Sequence, residues 1–442
     1  MRPPGIPDAG LIAVTPSTPR ADQLEAPSRP AAVASPVCRF CASPLTETFV
    51  DLGVSPLCES FLAADHLARM EPFYPLHVYV CGQCFLVQLE EFVAPGDIFS
   101  EYAYFSSYSD SWVEHARRYC RLMMDRYAIG PGKRVVEIAS NDGYLLQHFV
   151  AAGVTVLGIE PAANVAAVAR EKGVPSVTRF FGRTTAAEVR AEHGPADLLL
   201  GNNVLAHVPD LNDFVAGMPI LLAPDGLLTM EFPHLLKLIE FNQFDTIYHE
   251  HFSYLSLTTV RAVFAHHGLT VFDVEELPTH GGSLRIYAQH AGDAGRPVTP
   301  RVAALLEREA AAGLTAIGGY RGFETRVRET KRALLEFLIA AKTAGKSVAG
   351  YGAPGKGNTL LNYCGIGQDF VDYTVDRNPY KHGKFTPGTR IPIFPPERLR
   401  ETRPDYVLIL PWNLETEIVE QCQYIREWGG RFVVPIPTVR VI

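Results

Sequence analysis

The stretch VVEIASNDGYLL, residues 135–146, carries the clearest structural signal in the chain. It has the pattern of a short buried strand with an acidic residue, then a turn of small residues, then the start of a helix. Gly143 allows the backbone to approach a ligand closely, and the N-terminus of the following helix presents free N–H groups. Glu160 ends the next predicted strand and could accept both hydroxyls of a ribose. The stretch predicts a Rossmann-like nucleotide site, with a purely structural strand–helix turn as the alternative.

Strands and helices alternate around this stretch. Helical patterns cover residues 112–127 and 163–172, and another helix starts at about residue 144. Buried strands are predicted at residues 134–139, 154–160, 197–202 and 226–232. This alternation predicts an α/β fold, in which a mostly parallel sheet carries helices on both faces.

The two ends of the chain differ from this central region. Residues 1–36 are rich in Pro, Ala and Ser, and we expect them to be disordered. Residues 302–344 are rich in Ala, Leu, Arg and Glu and predict long helices broken near Gly318. A second α/β unit then begins, with strands predicted at 347–351, 369–375 and 406–410.

This second unit contains a glycine-rich turn, GYGAPGKGNTLLNY, at residues 350–363. Its glycines match G-x-G-x-x-G, and Asp376 ends the next strand, so the pattern alone is that of a dinucleotide site. Lys356 and the basic segment 377–384 would suit a pyrophosphate. The alternative is a solvated loop that binds nothing.

Composition and charge exclude several classes of function. The chain has 442 residues, 47% of them hydrophobic, and a net charge of −8, which does not favour binding to DNA or RNA. No apolar run approaches the ~18 residues of a membrane span, and the N-terminus lacks the pattern of a signal peptide. We therefore expect a cytoplasmic protein.

Two Cys-x-x-Cys pairs, Cys38 with Cys41 and Cys81 with Cys84, indicate a metal site. Four thiolates at tetrahedral corners bind zinc tightly, and each pair fits on one turn. All four corners would be protein ligands, so the site is predicted to be structural. The alternative is a pair of unconnected turns in a reduced protein.

The segment TIYHEHFSYLS, residues 246–256, places titratable groups between aromatic residues. In an extended strand Tyr248 and Glu250 would face one way, and His249 and His251 the other. A turn would instead bring Tyr248 and His251 together. Zinc ligation is one alternative, but the spacing is not H-E-x-x-H, and satisfied polar groups in a core are another.

These motifs, together with GGSLRIY at 281–287, occur in an order that resembles the three-domain sugar C-methyltransferases acting on dTDP-4-keto-deoxysugars. The turn at 139–143 by itself resembles the class I methyltransferase pattern. The resemblance implies a zinc-binding domain over 37–105, an S-adenosylmethionine-binding Rossmann-like domain over 106–300, and a second Rossmann-like domain over 301–442 that binds the nucleotide sugar. It also implies that the turn at 350–359 holds dTDP and not NAD.

The resemblance also implies the site residues. The zinc ligands are Cys38, Cys41, Cys81 and Cys84. Residues expected at the cofactor are Glu137, Ala139, Asn141, Gly143, Tyr144, Glu160, Pro161, Asn202 and Asn203. Residues expected at the substrate are Tyr104, Ser283, Arg285, Tyr351, Lys356, Asn358, Thr359 and Lys384. Catalytic residues are His251, Tyr248, Glu250, His207 and Tyr102.

Methylation of carbon requires a carbanion equivalent, which a C–H beside a ketone supplies as an enolate. His251 is the expected base, because imidazole titrates near neutral pH. Tyr248 and His207 would stabilise the enolate oxygen, and Glu250 would orient His251 or a sugar hydroxyl. We expect a monomer that methylates C3 and takes part in deoxysugar and antibiotic biosynthesis.

Two other functions compete with this interpretation. The glycine-rich turn at 350–355 could serve an NAD-dependent nucleotide-sugar oxidoreductase, although Lys356 and the lack of a second catalytic set weigh against it. The cysteine pairs could belong to a zinc-ribbon module that binds nucleic acid, which the net charge disfavours.

Overall fold

The computed structural model describes residues 36–94, 96, 106–293 and 295–442. The extension expected to be disordered therefore lies, apart from Pro36, outside the described residues. The first described region is a small antiparallel sheet next to the cysteine pairs, with strands β1 (Glu47–Ser55), β2 (Tyr74–Val80) and β3 (Val87–Leu89). Its fourth strand, Ser253–Tyr254, follows the YHEH segment and pairs with β3. The predicted catalytic segment is thus joined to the cysteine-bearing region by main-chain pairing.

The central sheet has seven strands. In chain order they are β4 (Arg134–Ile138), β5 (Thr155–Ile159), β6 (Ser176–Val177), β7 (Ala196–Asn202), β8 (Leu222–Pro233), then, after Ser253–Tyr254 as β9, β10 (Leu269–Leu277) and β11 (Ser283–His290). Their order in space is β10-β11-β8-β7-β4-β5-β6. Strands β4 to β8 run parallel, whereas β11 is antiparallel to both of its neighbours. The carboxyl ends of β4, β5 and β7 therefore meet at one edge, as a parallel sheet requires.

Both faces of this sheet are buried. Alternate residues of one strand enter different cores, with Val135 on one face and Val136 on the other. Because both faces are covered, the strands are nearly continuous apolar runs, which is why the sequence revealed them. The covering helices are Asp110–Tyr127, Leu146–Ala151, Ala163–Glu171, Arg183–His193, Leu211–Leu221 and Leu257–His266, whereas the helix Leu235–Glu240 belongs to the core shared by the first small sheet and the C-terminal region. Within the described part of the chain, none of the helices is long and apolar enough to cross a bilayer.

The C-terminal region contains a third sheet, against which the long helix Phe323–Thr343 packs, whereas the helix Pro300–Ala311 packs against β10 of the central sheet. The strands of this third sheet are β12 (Val348–Tyr351), β13 (Tyr373–Val375), β14 (Ile393–Phe394), β15 (Tyr406–Ile409), β16 (Arg431–Val434) and β17 (Arg440–Val441), in the order β14-β13-β12-β15-β16-β17. Only β17 among them is antiparallel to its neighbour. The strand predicted at 369–375 is shorter than expected, because the N–H groups of Phe370 and Val371 both bond to the carbonyl of Gly367 in a turn.

Candidate functional site

The four cysteines of the two pairs come together. Their sulfur atoms all lie within 4.8 Å of one another. The Sγ atoms of Cys38 and Cys84 are 3.5 Å apart, as are those of Cys41 and Cys81. Tetrahedral zinc takes thiolates at about 2.3 Å, so four sulfurs this close fit one ion. The buried side chain of Gln88 donates to Cys38 Sγ at 3.2 Å, the kind of outer contact that orients a metal ligand.

Glu160 is fixed at the end of β5. One carboxylate oxygen accepts the N–H of Asn141 at 2.9 Å, and the other accepts the N–H of Ala162 at 2.8 Å. Asn141 itself is in the left-handed region, with φ of 49°. Burial raises the pKa of Glu160. The turn after β4 and the acid after β5 are therefore held in one rigid unit at the predicted cofactor site.

Two other residues of the predicted cofactor set lie behind this turn. The carboxylate oxygens of Glu137 are buried and have no hydrogen-bond partner among the described residues, and burial raises the pKa of Glu137 well above its usual value. Gly143 has φ of 75°, and a Cβ there would lie 3.0 Å from Val174. The glycine is thus required by both backbone conformation and packing.

The YHEH segment forms the turn that brings Tyr248 and His251 together. The N–H of His251 bonds to the carbonyl of Tyr248 at 2.9 Å, and the two ring centroids are 4.0 Å apart. His251 Nδ1 lies 2.8 Å from the carbonyl oxygen of Thr246. A carbonyl can only accept, so Nδ1 carries the proton and Nε2 is the basic nitrogen. The carbonyl of Thr246 therefore orients this imidazole.

Burial, with the neighbouring His207 as a second cause, lowers the pKa of His251 well below its usual value. The ring of His207 is 4.7 Å from that of His251, and burial lowers the pKa of His207 to about 4. Both rings are therefore neutral near pH 7. The carboxylate of Glu250 has Oε1 3.7 Å from the thiol of Cys58.

The glycine-rich turn of the C-terminal domain brings Lys356 to the same place. Its ammonium donates to Asn413 Oδ1 at 2.8 Å and lies 4.8 Å from the ring centroid of Trp412. A Cβ on Gly355 would stand 2.9 Å from the sulfur of Cys58, so this glycine allows the N-terminal domain to approach. Asp376 accepts the N–H of Ala353 at 2.7 Å and thereby closes the turn.

One cavity of about 690 Å³ is lined by the predicted cofactor site, the YHEH segment and the glycine-rich turn of the C-terminal domain. The predicted residues that line it are Ala139, Asn141, Tyr144, Glu160, Pro161, Asn202, Asn203, His207, Tyr248, Glu250, His251 and Lys356. The other described residues of the predicted cofactor and substrate sets do not line it: Glu137, Gly143, Ser283, Arg285, Tyr351, Asn358, Thr359 and Lys384. Tyr102 and Tyr104 lie outside the described residues.

Four of the predicted substrate residues outside the cavity have hydrogen-bond partners of their own. Ser283 donates to the carbonyl of Thr279, and Thr359 donates to the carbonyl of Ile247. Asn358 donates to the carbonyl of Cys58 at 2.6 Å, which ties the N-terminal and C-terminal domains together. Tyr351 contacts Gln421 at 3.4 Å, and Lys384 is exposed.

Arg285 belongs to a buried charge cluster in the central sheet. It donates to Glu231 at 2.6 Å and to Glu275 at 3.0 Å, and Glu231 also lies 3.0 Å from His115. Burial opposes ionisation, but the contacts with His115 and Arg285 together lower the pKa of Glu231 to about 2. Arg285 therefore carries a structural ion pair beneath the site.

Several residues that line the cavity were not predicted from the sequence. His280 has a left-handed backbone, with φ of 56°, and contacts Asn203 at 3.4 Å. Trp112 packs edge-on against it at 5.0 Å. Phe180 and Phe181 also line the cavity. In the sequence, the only local signal at His280 is the pair of glycines that follows it in THGG. Histidine is among the residues that adopt left-handed backbone more often than most.

Three family models match the chain in succession. They describe a zinc binding domain over residues 38–99, a methyltransferase domain over 112–274, and a C-methyltransferase C-terminal domain over 278–437. The C-methyltransferase NovU of Streptomyces niveus is 40% identical over 405 residues, covering 92% of this chain and 96% of that protein. A ubiquinone biosynthesis O-methyltransferase of Bartonella bacilliformis is 30% identical over 107 residues, covering 24% of this chain and 43% of that protein. Magnesium protoporphyrin IX methyltransferase from Synechocystis PCC 6803, solved with bound SAM, gives a TM-score of 0.32 at 17% identity and covers 41% of this chain and 82% of that one.

Proposed function

The chain belongs to the S-adenosylmethionine-dependent C-methyltransferases with an N-terminal zinc-binding domain, and we propose that it methylates C3 of a dTDP-linked 4-keto-deoxysugar. The observation that carries the proposal is the single cavity shared by Glu160, His251 and Lys356. A methyl donor, a proton acceptor and a cation for a diphosphate would all face one substrate there.

The cofactor and the metal fit the residues around them. S-adenosylmethionine supplies an electrophilic methyl group when it is bound. Glu160 offers a carboxylate for the ribose at the end of β5, and the turn at Asn141 offers its backbone beside it. The four-cysteine cluster has no open position, so zinc would act in folding and not in chemistry.

His251 is the proposed general base. Its Nε2 takes the proton on the carbon next to the ketone, and the electron pair of that C–H bond forms an enolate. The imidazole is preset for this role, because Thr246 holds Nδ1–H and burial keeps the ring neutral. The carbon of the enolate would receive the methyl group of a bound donor, with the S–CH3 bond breaking as the C–C bond forms, S-adenosylhomocysteine leaving and the ketone restored.

Two donors are proposed for the enolate oxygen. The ring of Tyr248 packs against that of His251 at a tilt of 32°, and burial raises the pKa of Tyr248 well above its usual value, so its hydroxyl remains a donor at neutral pH. His207 is the second candidate, with its ring centroid 4.7 Å from that of the base. Glu250 is proposed to accept a hydrogen bond from a hydroxyl of the sugar, since it lines the cavity and Thr246 already holds the base.

The proposal is tested by supplying S-adenosylmethionine with a panel of dTDP-4-keto-deoxysugars and locating any new methyl group by NMR. Methylation at C3 is expected, and transfer to another carbon would overturn that position while leaving the substrate class intact. The same sugars linked to UDP are the matched control for the nucleotide. Failure to methylate any member of the panel would overturn the substrate class. A cytoplasmic monomer in deoxysugar and antibiotic biosynthesis remains part of this proposal.

A further inference from the structure

Lys356 is one of three groups in contact across the boundary between the central and C-terminal domains. The indole N–H of Trp412 donates to a carboxylate oxygen of Asp245 at 2.7 Å. The ammonium of Lys356 lies over the ring of the same indole, 4.8 Å from its centroid. Lys356 lines the cavity, whereas Trp412 and Asp245 stand behind it. The indole is thus placed between a carboxylate and a cation.

The position of this indole is fixed from both sides. Trp412 is 9% exposed, and a Cβ on Gly281 would stand 2.7 Å from its ring. The carbonyl of Gly281 is in turn held by the side chain of Gln243 at 2.7 Å. Close packing of this kind leaves the ring one orientation, so its face stays under the ammonium.

The charged states of Asp245 and Lys356 depend on each other. Burial raises the pKa of Asp245 to about 7, and burial lowers the pKa of Lys356. Each charge opposes the effect of burial on the other. A hydrogen bond from the indole to a carboxylate also moves electron density onto the ring, which strengthens the attraction of the ring for a cation.

We propose that Asp245 and Trp412 are positioning residues that hold the Lys356 ammonium, charged, in the cavity for the diphosphate of the nucleotide sugar. This inference rests on the proposed function, since it requires a diphosphate in the substrate. Neither residue touches the substrate, and both act through Lys356. Asp245 also directly precedes Thr246, whose carbonyl orients His251, so one short turn anchors the cation and the base.

The direction in which diphosphate affinity changes when the Asp245 carboxylate is removed distinguishes this role from simple charge repulsion. A carboxylate near an anion site repels a diphosphate, so its removal alone would tighten binding. If Asp245 instead maintains the Lys356 charge and the indole position, its removal weakens binding. Asp245→Asn keeps the shape and an acceptor for the indole N–H while removing the charge. Trp412→Phe keeps a ring face and removes the donor.

The experiment measures the affinity of the full-length zinc-loaded protein for dTDP and for thymidine by calorimetry. Asp245→Asn and Trp412→Phe are expected to weaken dTDP binding about three- to thirtyfold, the range of a desolvated cation–π contact. Thymidine, which lacks the diphosphate, should bind as it does to the unaltered protein. In a Lys356→Met background, Asp245→Asn should no longer weaken dTDP binding, because the cation through which it acts is gone. Trp428→Phe is the matched control, since that indole bonds to the carbonyl of Pro404 in the same domain.

Three results would overturn the inference. They are tighter or equal binding of dTDP by Asp245→Asn, an equal loss with thymidine, and an undiminished effect of Asp245→Asn without Lys356. Should Asp245→Asn fail to fold, as judged by thermal melting, Trp412→Phe gives the same comparison alone. If the unaltered protein does not bind dTDP, the proposed substrate class fails together with this inference.

Discussion

Replacement of His251 by glutamine tests the proposed chemistry most directly. Glutamine can still donate to the carbonyl of Thr246, so the turn should persist, but it has no basic nitrogen. Loss of a general base costs about 10²–10⁴ in rate. The upper part of that range is expected, because the ring lies in a buried site, at 8% exposure, where water is a poor substitute. Binding of both ligands should be retained.

The assay is exchange of the proton alpha to the ketone with deuterium from heavy water, followed by NMR. A non-reactive analogue of the methyl donor is added where donor binding is needed to assemble the site. His249→Gln is the matched control from the same segment: His249 bonds to the carbonyl of Pro75, away from the cavity, and its variant should exchange normally.

The pH dependence follows from the neutral imidazole. Because burial depresses the pKa of His251, the ring is the free base at neutral pH, and exchange should fall only as pH drops through that lowered value. An acid limb above pH 6.5, the usual pKa of histidine, would contradict this reasoning. Exchange by His251→Gln at the rate of the unaltered protein would refute His251 as the base, and His207 would be the next candidate.

Four further outcomes are expected. Glu160→Ala should weaken S-adenosylmethionine binding by about 1–3 kcal/mol in calorimetry, whereas Glu171→Ala, exposed on the next helix, should not; equal affinities would remove Glu160 from the cofactor site. Cys41→Ser should abolish stoichiometric zinc and lower the melting temperature, while Cys364→Ser, outside the cluster, should keep its zinc. Tyr248→Phe should slow turnover less than His251→Gln does, and an equal loss would assign the phenol a larger role. Arg285→Met should lower the free energy of unfolding by about 3–5 kcal/mol, because it leaves the Glu231 carboxylate buried without its cation; unchanged urea denaturation would contradict this.

The central sheet was predictable because its strands are apolar on both faces. The run around Leu199 is apolar from Leu198 to Leu200, and the run around Val136 is interrupted only by the buried Glu137, so the positions of both strands were found to within a residue or two. The reversed strand β11 was not predicted, since direction in a sheet depends on the path of the connecting chain. The turn of the YHEH segment was anticipated as one option, but its hydrogen bonds were not.

The cavity itself could be predicted only in part. Lys356 and His251 belong to motifs with local patterns, whereas Cys58, Trp412 and His280 are single residues in loops, without periodicity. They reach the site through contacts between distant parts of the chain. Gly355 illustrates the difference: its place in a glycine motif was visible, but the thiol that requires it to be glycine was not.

The pairing of β3 with Ser253–Tyr254 determines when the first sheet can be completed during synthesis of the chain. The cysteine-bearing module is synthesised first, yet its sheet gains its last strand only after residue 254 has left the ribosome. Until then one edge of β3 is open, and an open edge is a site where other chains can pair. Nascent chains should therefore need protection during that interval, and zinc acquired early cannot by itself complete the module.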